Sequence, residues 1–497
     1  MTARAVMVLG CSSDAGKSWI STALCRWYAR QGLVVRPFKA QNMSNHARVV
    51  ALTDGTDSKF GTVGEIGSAQ YFQALAARAT PDVRMNPVLL KPEADSRSQV
   101  LLLGQVRPGL STMPWRERSA LLWPIARSAL QSLQAECDVL VIEGAGSPAE
   151  INLAANDYVN TFTAVESQAA CLLVSDIDRG GAFAHLYGTH ALMDARVRAQ
   201  VQGFVLNRFR GDASLLAPGP QLLQARTGVP TLAVIPLLRN HGLPEEDAVP
   251  NGSEHSAGQG GPRVVVLSPP HASNLDEFEP LRAAGVALQF SRSAALVQQA
   301  DWLILPGSKH TQADLAWLRS SGLDAAIQAH AHAGKPLLAV CGGLQMLGGL
   351  IDDPLGLEGG RPGQSTGLGL LPLRTRFAPA KQLTRVQHHL AGLQGPWAPL
   401  AGQVVCGYEI HHGISQPDPV DPADDPLTPA FAGAPHLGWQ RGAVLAVYLH
   451  GLFENPAVVQ ALFGRRPPPL DAVFDRLADC VDQHFTRGAL MALLKST

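Results

Sequence analysis

The chain has 497 residues, more than a single hydrophobic core accommodates, so at least two domains are expected. Its apolar content of 46% suits globular cores, and a net charge of −1 leaves no electrostatic case for nucleic acid or an anionic membrane as partner. No apolar run approaches the ~20 residues that span a bilayer. The first apolar run leads into a glycine loop rather than a cleavage site, and the seven cysteines show neither CxxC pairs nor metal-ligand spacing. A cytoplasmic protein in a reducing compartment is expected.

Ala5-Val6-Met7-Val8-Leu9 reads as a buried strand. Trp19 to Gln31, apolar at Ile20, Leu24, Trp27 and Tyr28, reads as a helix. Between them lies Gly10-Cys11-Ser12-Ser13-Asp14-Ala15-Gly16-Lys17-Ser18. A glycine loop between strand and helix turns backbone N–H groups around a phosphate, and the helix N-terminus adds its positive end. The loop predicts a nucleotide site contacted by Gly10, Asp14, Gly16, Lys17 and Ser18. Lys17 would reach the β- and γ-phosphates, with the Ser18 hydroxyl on Mg²⁺. Five residues separate Gly10 from Gly16, one more than in the usual pattern.

A second strand, Leu33 to Phe38, ends at Lys39. Lys39 is either a second cation for phosphates or an acidic substrate, or a solvated surface lysine. Gly64-Glu65-Ile66-Gly67 is expected to open a helix through Gln70, Ala74 and Ala77. Met85 to Pro92 and Ser98 to Leu103 read as short strands or a hairpin, and Arg116 to Glu136 as a helix. Asp138 to Ile142 is a buried strand delivering Glu143 and then Gly144-Ala145-Gly146. Glu143 suits the acidic partner of a phosphate loop, holding Mg²⁺ directly or through water, and equally an N-cap. Ala170 to Ser175 ends in Asp176-Ile177-Asp178-Arg179-Gly180-Gly181. Val201 to Leu206 ends at Asn207-Arg208-Phe209-Arg210, where Asn207 is a nucleobase-pairing candidate or a turn residue. With Thr231 to Pro236 as the last strand, alternating strands and helices predict a mostly parallel, doubly wound α/β sheet over residues 1–248.

Residues 249–262 are rich in Gly, Ser and Pro and read as a linker. A second α/β domain, 263–466, opens with the strand Arg263 to Leu267, and the strand Asp301 to Leu305 precedes Pro306-Gly307-Ser308. Pro336 to Val340 is a buried strand, Cys341-Gly342-Gly343 a sharp turn and Leu344-Gln345-Met346-Leu347 the start of a helix. Such an elbow exposes a nucleophile and favours its thiolate, with oxyanion donors near Gly342 and Gly307. The alternative is an inert buried cysteine. The two glycines speak against it, as unnecessary for packing but useful for close ligand approach. Ala443 to Leu449 is a strand delivering His450, a base for Cys341 and later an acid for departing ammonia. Gly407 to Gly413 reads as a polar cluster after a strand, Pro417 to Pro435 as an exposed loop. Over 467–497, Leu470, Val473, Phe474, Leu477, Val481 and Phe485 keep the spacing of a C-terminal packing helix.

Together Pro37-Phe38-Lys39-Ala40-Gln41-Asn42-Met43-Ser44, Met85-Asn86-Pro87-Val88-Leu89-Leu90-Lys91-Pro92, Ile142 to Asn152, Asp176 to Gly181, Asn207 to Asp212, the Cys341 elbow and Tyr448-Leu449-His450-Gly451 resemble the cobyric acid synthase family over nearly the whole chain. The lengthened phosphate loop is similar to that of the dethiobiotin synthetase group, and the second domain to class I glutamine amidotransferases. The resemblance implies amidation of the b, d, e and g carboxylates of adenosylcobyrinic acid a,c-diamide to adenosylcobyric acid, each amide using glutamine, ATP and Mg²⁺. It implies an acyl phosphate made with Lys17, Ser18 and Glu143, and a glutamyl thioester on Cys341 with His450 as base. Lys39, Lys91, Asp176, Asp178, Arg179 and Arg208 are the candidates for meeting a polycarboxylate substrate. Glutaminases of the wider triad class carry glutamate two residues after the histidine. Leu452 stands there, which leaves a Cys–His dyad and room for another orienting group. The alternatives are an a,c-diamide synthase, a regulatory ATPase with an inactive amidase-like module, and a structural scaffold. The sequence assigns no oligomeric state.

Overall fold

A computed structural model describes residues 3–52, 63–94, 97–239, 241–244, 261–358, 362–418 and 426–495. The expected linker lies outside these residues apart from Gly261 and Pro262, as does 419–425 of the expected exposed loop. The chain forms two compact units: Met1–Ser44, Val50–Leu243 and Pro469–Thr497 in the first, Asn45–Val49 and Pro244–Pro468 in the second. No helix among the described residues is long and apolar enough to cross a membrane.

The first unit is built on six strands: β1 (Arg4–Gly10), β2 (Val35–Phe38), β3 (Val139–Glu143), β4 (Ala170–Asp176), β5 (Val201–Phe209) and β6 (Thr231–Pro236). They pair in the order β6-β5-β4-β1-β3-β2, all parallel. A parallel sheet covered on both faces needs continuous apolar runs, which β1, β3 and β4 supply with Val6–Leu9, Val139–Ile142 and Cys171–Val174 buried. Helix α1 (Lys17–Arg30) follows the glycine loop, and the strand order reverses around β1. Loops leaving the carboxyl ends of β1 to β5 therefore converge on one crevice.

One expectation needs correcting here. Gly64 to Gly67 does not open a helix: Val63–Gly67 is a strand, and the helix runs over Ser68–Ala76. Glu65 is held in extended backbone by a buried ion pair with Lys91, and Gly67 is itself extended. The stretches around Lys91 form a hairpin of Val88–Ala94 against Arg97–Leu102.

The C-terminal helix Leu470–His484 belongs to this first unit, where Val473, Phe474, Leu477 and Val481 join its core. Polar contacts fix it against α1. Trp27 Nε1 donates to Asp482 Oδ1 at 2.8 Å, the Arg26 guanidinium pairs with Asp471 and Asp475, and Arg30 Nη1 pairs with Asp479 at 2.6 Å.

The second unit carries β7 (Arg263–Leu267), β8 (Ala287–Ser291), β9 (Trp302–Leu305), β10 (Leu337–Val340), β11 (Thr428–Pro429), β12 (Gly438–Arg441) and β13 (Val444–Val447). Their order is β8-β7-β9-β10-β13-β12-β11, with the two last strands antiparallel. A second sheet holds the long antiparallel pair Leu373–Leu390 and Val404–Pro417. Gly407 to Gly413 is thus the middle of one strand rather than a cluster following it.

The C-terminal helix generates a direct test. Phe474→Ala removes a fully buried ring and is expected to cost about 3–5 kcal/mol of first-unit stability. Asp479→Ala, an exposed partner on the same helix, is expected to change it by less than about 1 kcal/mol. Thermal unfolding of both variants checks the difference.

Candidate active sites

In the first unit the glycine loop turns so tightly that only glycine fits at Gly16. Its φ is 99°, and a Cβ there would stand 2.0 Å from Asn207 Nδ2. Asn207 Nδ2 donates to Ala15 O at 2.8 Å, so this residue at the end of β5 braces the loop, while its buried Oδ1 has no partner. Lys17 Nζ donates to Ser12 O at 2.8 Å and Gly146 O at 3.2 Å, lying along the inside of the loop beside Gly10. Asp14, in left-handed backbone at φ 56°, stands at the rim.

Glu143, at the end of β3, is the centre of the crevice. It is 1% exposed and its carboxylate is surrounded by donors. Ser18 Oγ and Lys39 Nζ donate to Oε1 at 2.9 and 2.7 Å; Gln70 Nε2 at 3.4 Å and Gln73 Nε2 donate to Oε2. Burial pulls the carboxyl upward, but the Lys39 ammonium and these hydrogen bonds outweigh it and hold it below the usual range. Lys39 is therefore a buried partner of Glu143 and not a solvated lysine. Among the described residues no N-cap bond to Glu143 is formed; its acceptors are taken by side chains.

The donor set suits a hard cation. A hydroxyl and a carboxylate oxygen meet at Ser18 and Glu143, and Gln70 Oε1 and Gln73 Oε1 are buried beside them without partners. Among the described residues no group of three or more His, Cys, Asp and Glu gathers as a metal cluster, so any ion here relies on one acid, hydroxyl oxygen and ligand oxygens.

The other substrate candidates pair among themselves. Asp176 Oδ2 accepts from Arg208 Nη1 at 3.0 Å and lies 3.6 Å from Arg179 Nε, while Asp178 Oδ1 accepts from Arg210 Nε at 2.6 Å. Arg179 is exposed, with Asp14 3.9 Å away. Lys91 is elsewhere in character: its ammonium is buried against Glu65.

In the second unit Cys341 sits between β10 and the helix Gly342–Leu347, with φ 51° and ψ −108°, a strained conformation for a residue with a Cβ. Cys341 N donates to Val447 O at 2.8 Å, which locks the elbow to β13. The glycines after it are required for packing, contrary to the reading above. A Cβ on Gly343 would lie 2.2 Å from Leu305 O, and one on Gly342 2.7 Å from Ser308 N. They let the elbow press onto the Gly307-Ser308 segment, bringing both expected oxyanion positions to the cysteine. Gln345 ties the elbow helix to its surroundings, accepting from Thr311 Oγ1 at 3.1 Å and donating to Tyr448 OH at 3.3 Å.

His450 follows β13 and faces the Cys341 side chain, whose Sγ donates to Ile410 O at 3.5 Å. Its Nδ1 lies 2.9 Å from Glu277 Oε1, and Gly451 N donates to Glu277 Oε2 at 2.7 Å. Both side chains are buried. The Tyr408 ring stacks on the imidazole at 5.4 Å and 14°. Burial would lower the imidazole; the Glu277 carboxylate outweighs it and raises His450 to about 10. Behind Tyr408 lies Arg48, contributed by Asn45–Val49. Its guanidinium is 5.3 Å from the Tyr408 ring centre and pairs with Asp276 and Glu454. Asp276 is held well below the usual carboxylate range: burial pushes it up, and Arg48 outweighs that.

Sequence reasoning missed Glu277, Gln70, Gln73 and Arg48. The only signal for Glu277 was its place in Leu275-Asp276-Glu277-Phe278, shortly after the strand β7. Gln70 and Gln73 carry a clearer one, since residues three apart on a helix share a face.

Comparison with known proteins agrees with this division. Residues 6–247 match the family described as the CobQ/CobB/MinD/ParA nucleotide binding domain, and residues 263–458 the CobB/CobQ-like glutamine amidotransferase domain. The chain is 60% identical to the cobyric acid synthase of Leptothrix cholodnii, across 99% of this chain and 97% of that protein. It is 60% identical to that of Methylibium petroleiphilum, across 99% and 97%, and 58% identical to that of Acidovorax ebreus, across 99% and 99%. Similarity at this level, end to end, shows that the chain belongs to the cobyric acid synthase family, as a glutamine-dependent ligase.

Proposed function

We propose that the chain amidates the b, d, e and g carboxylates of adenosylcobyrinic acid a,c-diamide, using ATP for activation and glutamine as nitrogen source. The observation that carries the nitrogen half is the buried Cys341–His450 pair on its strained elbow. Cys341 Sγ attacks the side-chain amide carbon of glutamine, and the oxyanion is met by backbone N–H groups at Gly342 and Gly307. His450 already holds the proton taken from the thiol, keeping it up to about pH 10, and delivers it to the departing nitrogen, so that the C–N bond breaks, ammonia leaves and a glutamyl thioester remains. Water then attacks the thioester, His450 again moving the proton, and glutamate is released.

The activation half belongs to the crevice around Glu143. A substrate carboxylate oxygen attacks the γ-phosphorus of ATP, ADP leaves, and ammonia displaces phosphate from the acyl phosphate to give the amide. Lys17 meets the β- and γ-phosphates, and Asn207, whose Oδ1 is free and buried, turns that acceptor to the nucleobase. Ser18 and Glu143 would hold Mg²⁺, which neutralises phosphate charge when bound. Lys39, Gln70 and Gln73 keep the Glu143 carboxylate ionised and aimed. Exposed Arg179, with Arg208, is the cationic group for the acidic substrate. The cytoplasm is the compartment that fits these substrates.

Three outcomes are expected. With ATP and adenosylcobyrinic acid a,c-diamide, mass spectrometry should show four successive carboxylate-to-amide conversions from glutamine. Cys341→Ala should lose them and regain them with free ammonia. Absence of conversion with either nitrogen source would overturn the corrinoid assignment and favour the a,c-diamide synthase or the regulatory ATPase.

Lys17→Ala should slow amidation from both nitrogen sources by roughly 100–1,000-fold, read as ADP release, and leave glutamate release from glutamine intact.

Glutaminase kcat/KM should hold through neutral pH and fall as pH rises through about 10, where His450 loses its proton. Because the folded-state value lies above the ordinary 6.5, the stability linked to this proton is complete below about 6.5 and is lost as pH rises through about 10. Unfolding measured across that range checks the sign.

A further inference from the structure

Position 452, where a triad glutaminase would place its carboxylate, holds buried Leu452 in the short turn Leu452–Glu454. We propose that Glu277, carried on the turn Leu275–Phe278 after β7, is the positioning residue of the glutaminase site: it fixes the His450 tautomer and stabilises the imidazolium that forms when Cys341 gives up its proton. The proposal rests on the glutaminase reading of Cys341 and His450 and deepens it.

The geometry is specific to this role. A carboxylate only accepts, so at 2.9 Å from Glu277 Oε1 the His450 Nδ1 carries the proton and Nε2 is left for the thiol. The second oxygen, Oε2, is taken by the N–H of Gly451 at 2.7 Å, which fixes the carboxylate plane relative to the backbone of the residue it orients. The imidazole is closely packed: Tyr408 stacks on its ring, and Gly307 comes so near that a Cβ there would stand 3.2 Å from His450 Cε1.

The surroundings leave Glu277 as the carboxylate whose charge His450 meets directly. Among the described residues, Cys341, Glu277 and Tyr408 are the titratable groups packed against the imidazole. The neighbouring acids, Asp276 and Glu454, are both engaged by the Arg48 guanidinium, and Asp276 also has His46 Nδ1 at 3.4 Å. A buried histidine facing a carboxylate that, among the described residues, no other charged side chain engages gains its cationic form, in keeping with the elevated value of about 10. Removing an orienting carboxylate from such an arrangement leaves the nucleophile and base in place with the wrong tautomer, a loss of up to about 10⁴ in kcat in the serine protease triad.

The test uses the full chain with Glu277→Gln and Glu277→Asp. Glutamate release from glutamine is followed across pH, together with ammonia-driven amidation of the corrinoid. For Glu277→Gln the glutaminase kcat is expected to fall by roughly 100-fold or more with KM changed by less than about threefold. Its alkaline limb should move down from about 10 toward the ordinary histidine range. Glu277→Asp should fall between it and the wild type. Ammonia-driven amidation should stay within about twofold in both variants. An unchanged kcat and pH profile in Glu277→Gln would overturn the proposal. So would loss of ammonia-driven amidation in both variants, which would make Glu277 a structural residue only. Glutaminase activity surviving Cys341→Ala would instead overturn the underlying reading, so the two failures are distinguishable.

Discussion

A carboxylate out of water is costly, several kcal/mol even after relaxation, unless its oxygens are fully engaged. Each unit of this chain places one such carboxylate at the heart of its site. Glu143 has four side chains donating to its two oxygens, and Glu277 is shared between an imidazole and a backbone N–H. That requirement explains why the surrounding residues are where they are. Lys39, Gln70 and Gln73 are drawn inward in one unit, and in the other His450 is clamped beside a backbone segment with no side chain to spare at Gly307.

Both sites also depend on the architecture of parallel sheets, in which all strands point their carboxyl ends the same way. β1, β2, β3 and β5 deliver the glycine loop, Lys39, Glu143 and Asn207 to one edge. β7, β9, β10 and β13 deliver Glu277, Gly307, Cys341 and His450 to another. The strain at Cys341 is sustained because the elbow is bound on both sides, by Val447 O and by the backbone against which Gly342 and Gly343 press. Elsewhere burial pushes the thiols of Cys11, Cys25, Cys137, Cys171 and Cys480 upward, as expected of cysteines used for packing.

The groups legible in the sequence were those at the end of an apolar strand or of a glycine loop. Glu143, Cys341 and His450 have the first signature and Lys17 and Ser18 the second, because strand periodicity and glycine punctuation are local signals. Glu277 is separated from His450 by 173 residues and sits in a single turn with no periodicity, so its partner was invisible. Arg48 and Lys91 show the same limit in another way. Lys91 reads as a group for an acidic substrate and Arg48 carries no local signal; the fold supplies their buried partners, Asp276 for Arg48 and Glu65 for Lys91. The elbow glycines carried a signal that was read for the wrong reason, since the backbone they approach is the protein's own.

Asn45–Val49 gives the glutaminase unit five residues from far upstream in the chain. Sequence alone invites cutting such a protein in two at the glycine- and serine-rich stretch, as though the halves were beads on a string. A downstream fragment made that way would lack Arg48, and with it the cation facing Asp276 and Glu454, leaving buried Asp276 without that counter-charge beside Glu277. The unit is complete in space but interrupted in the gene. Any exchange of this module between proteins, by engineering or by recombination, would have to carry both pieces or supply a new counter-charge.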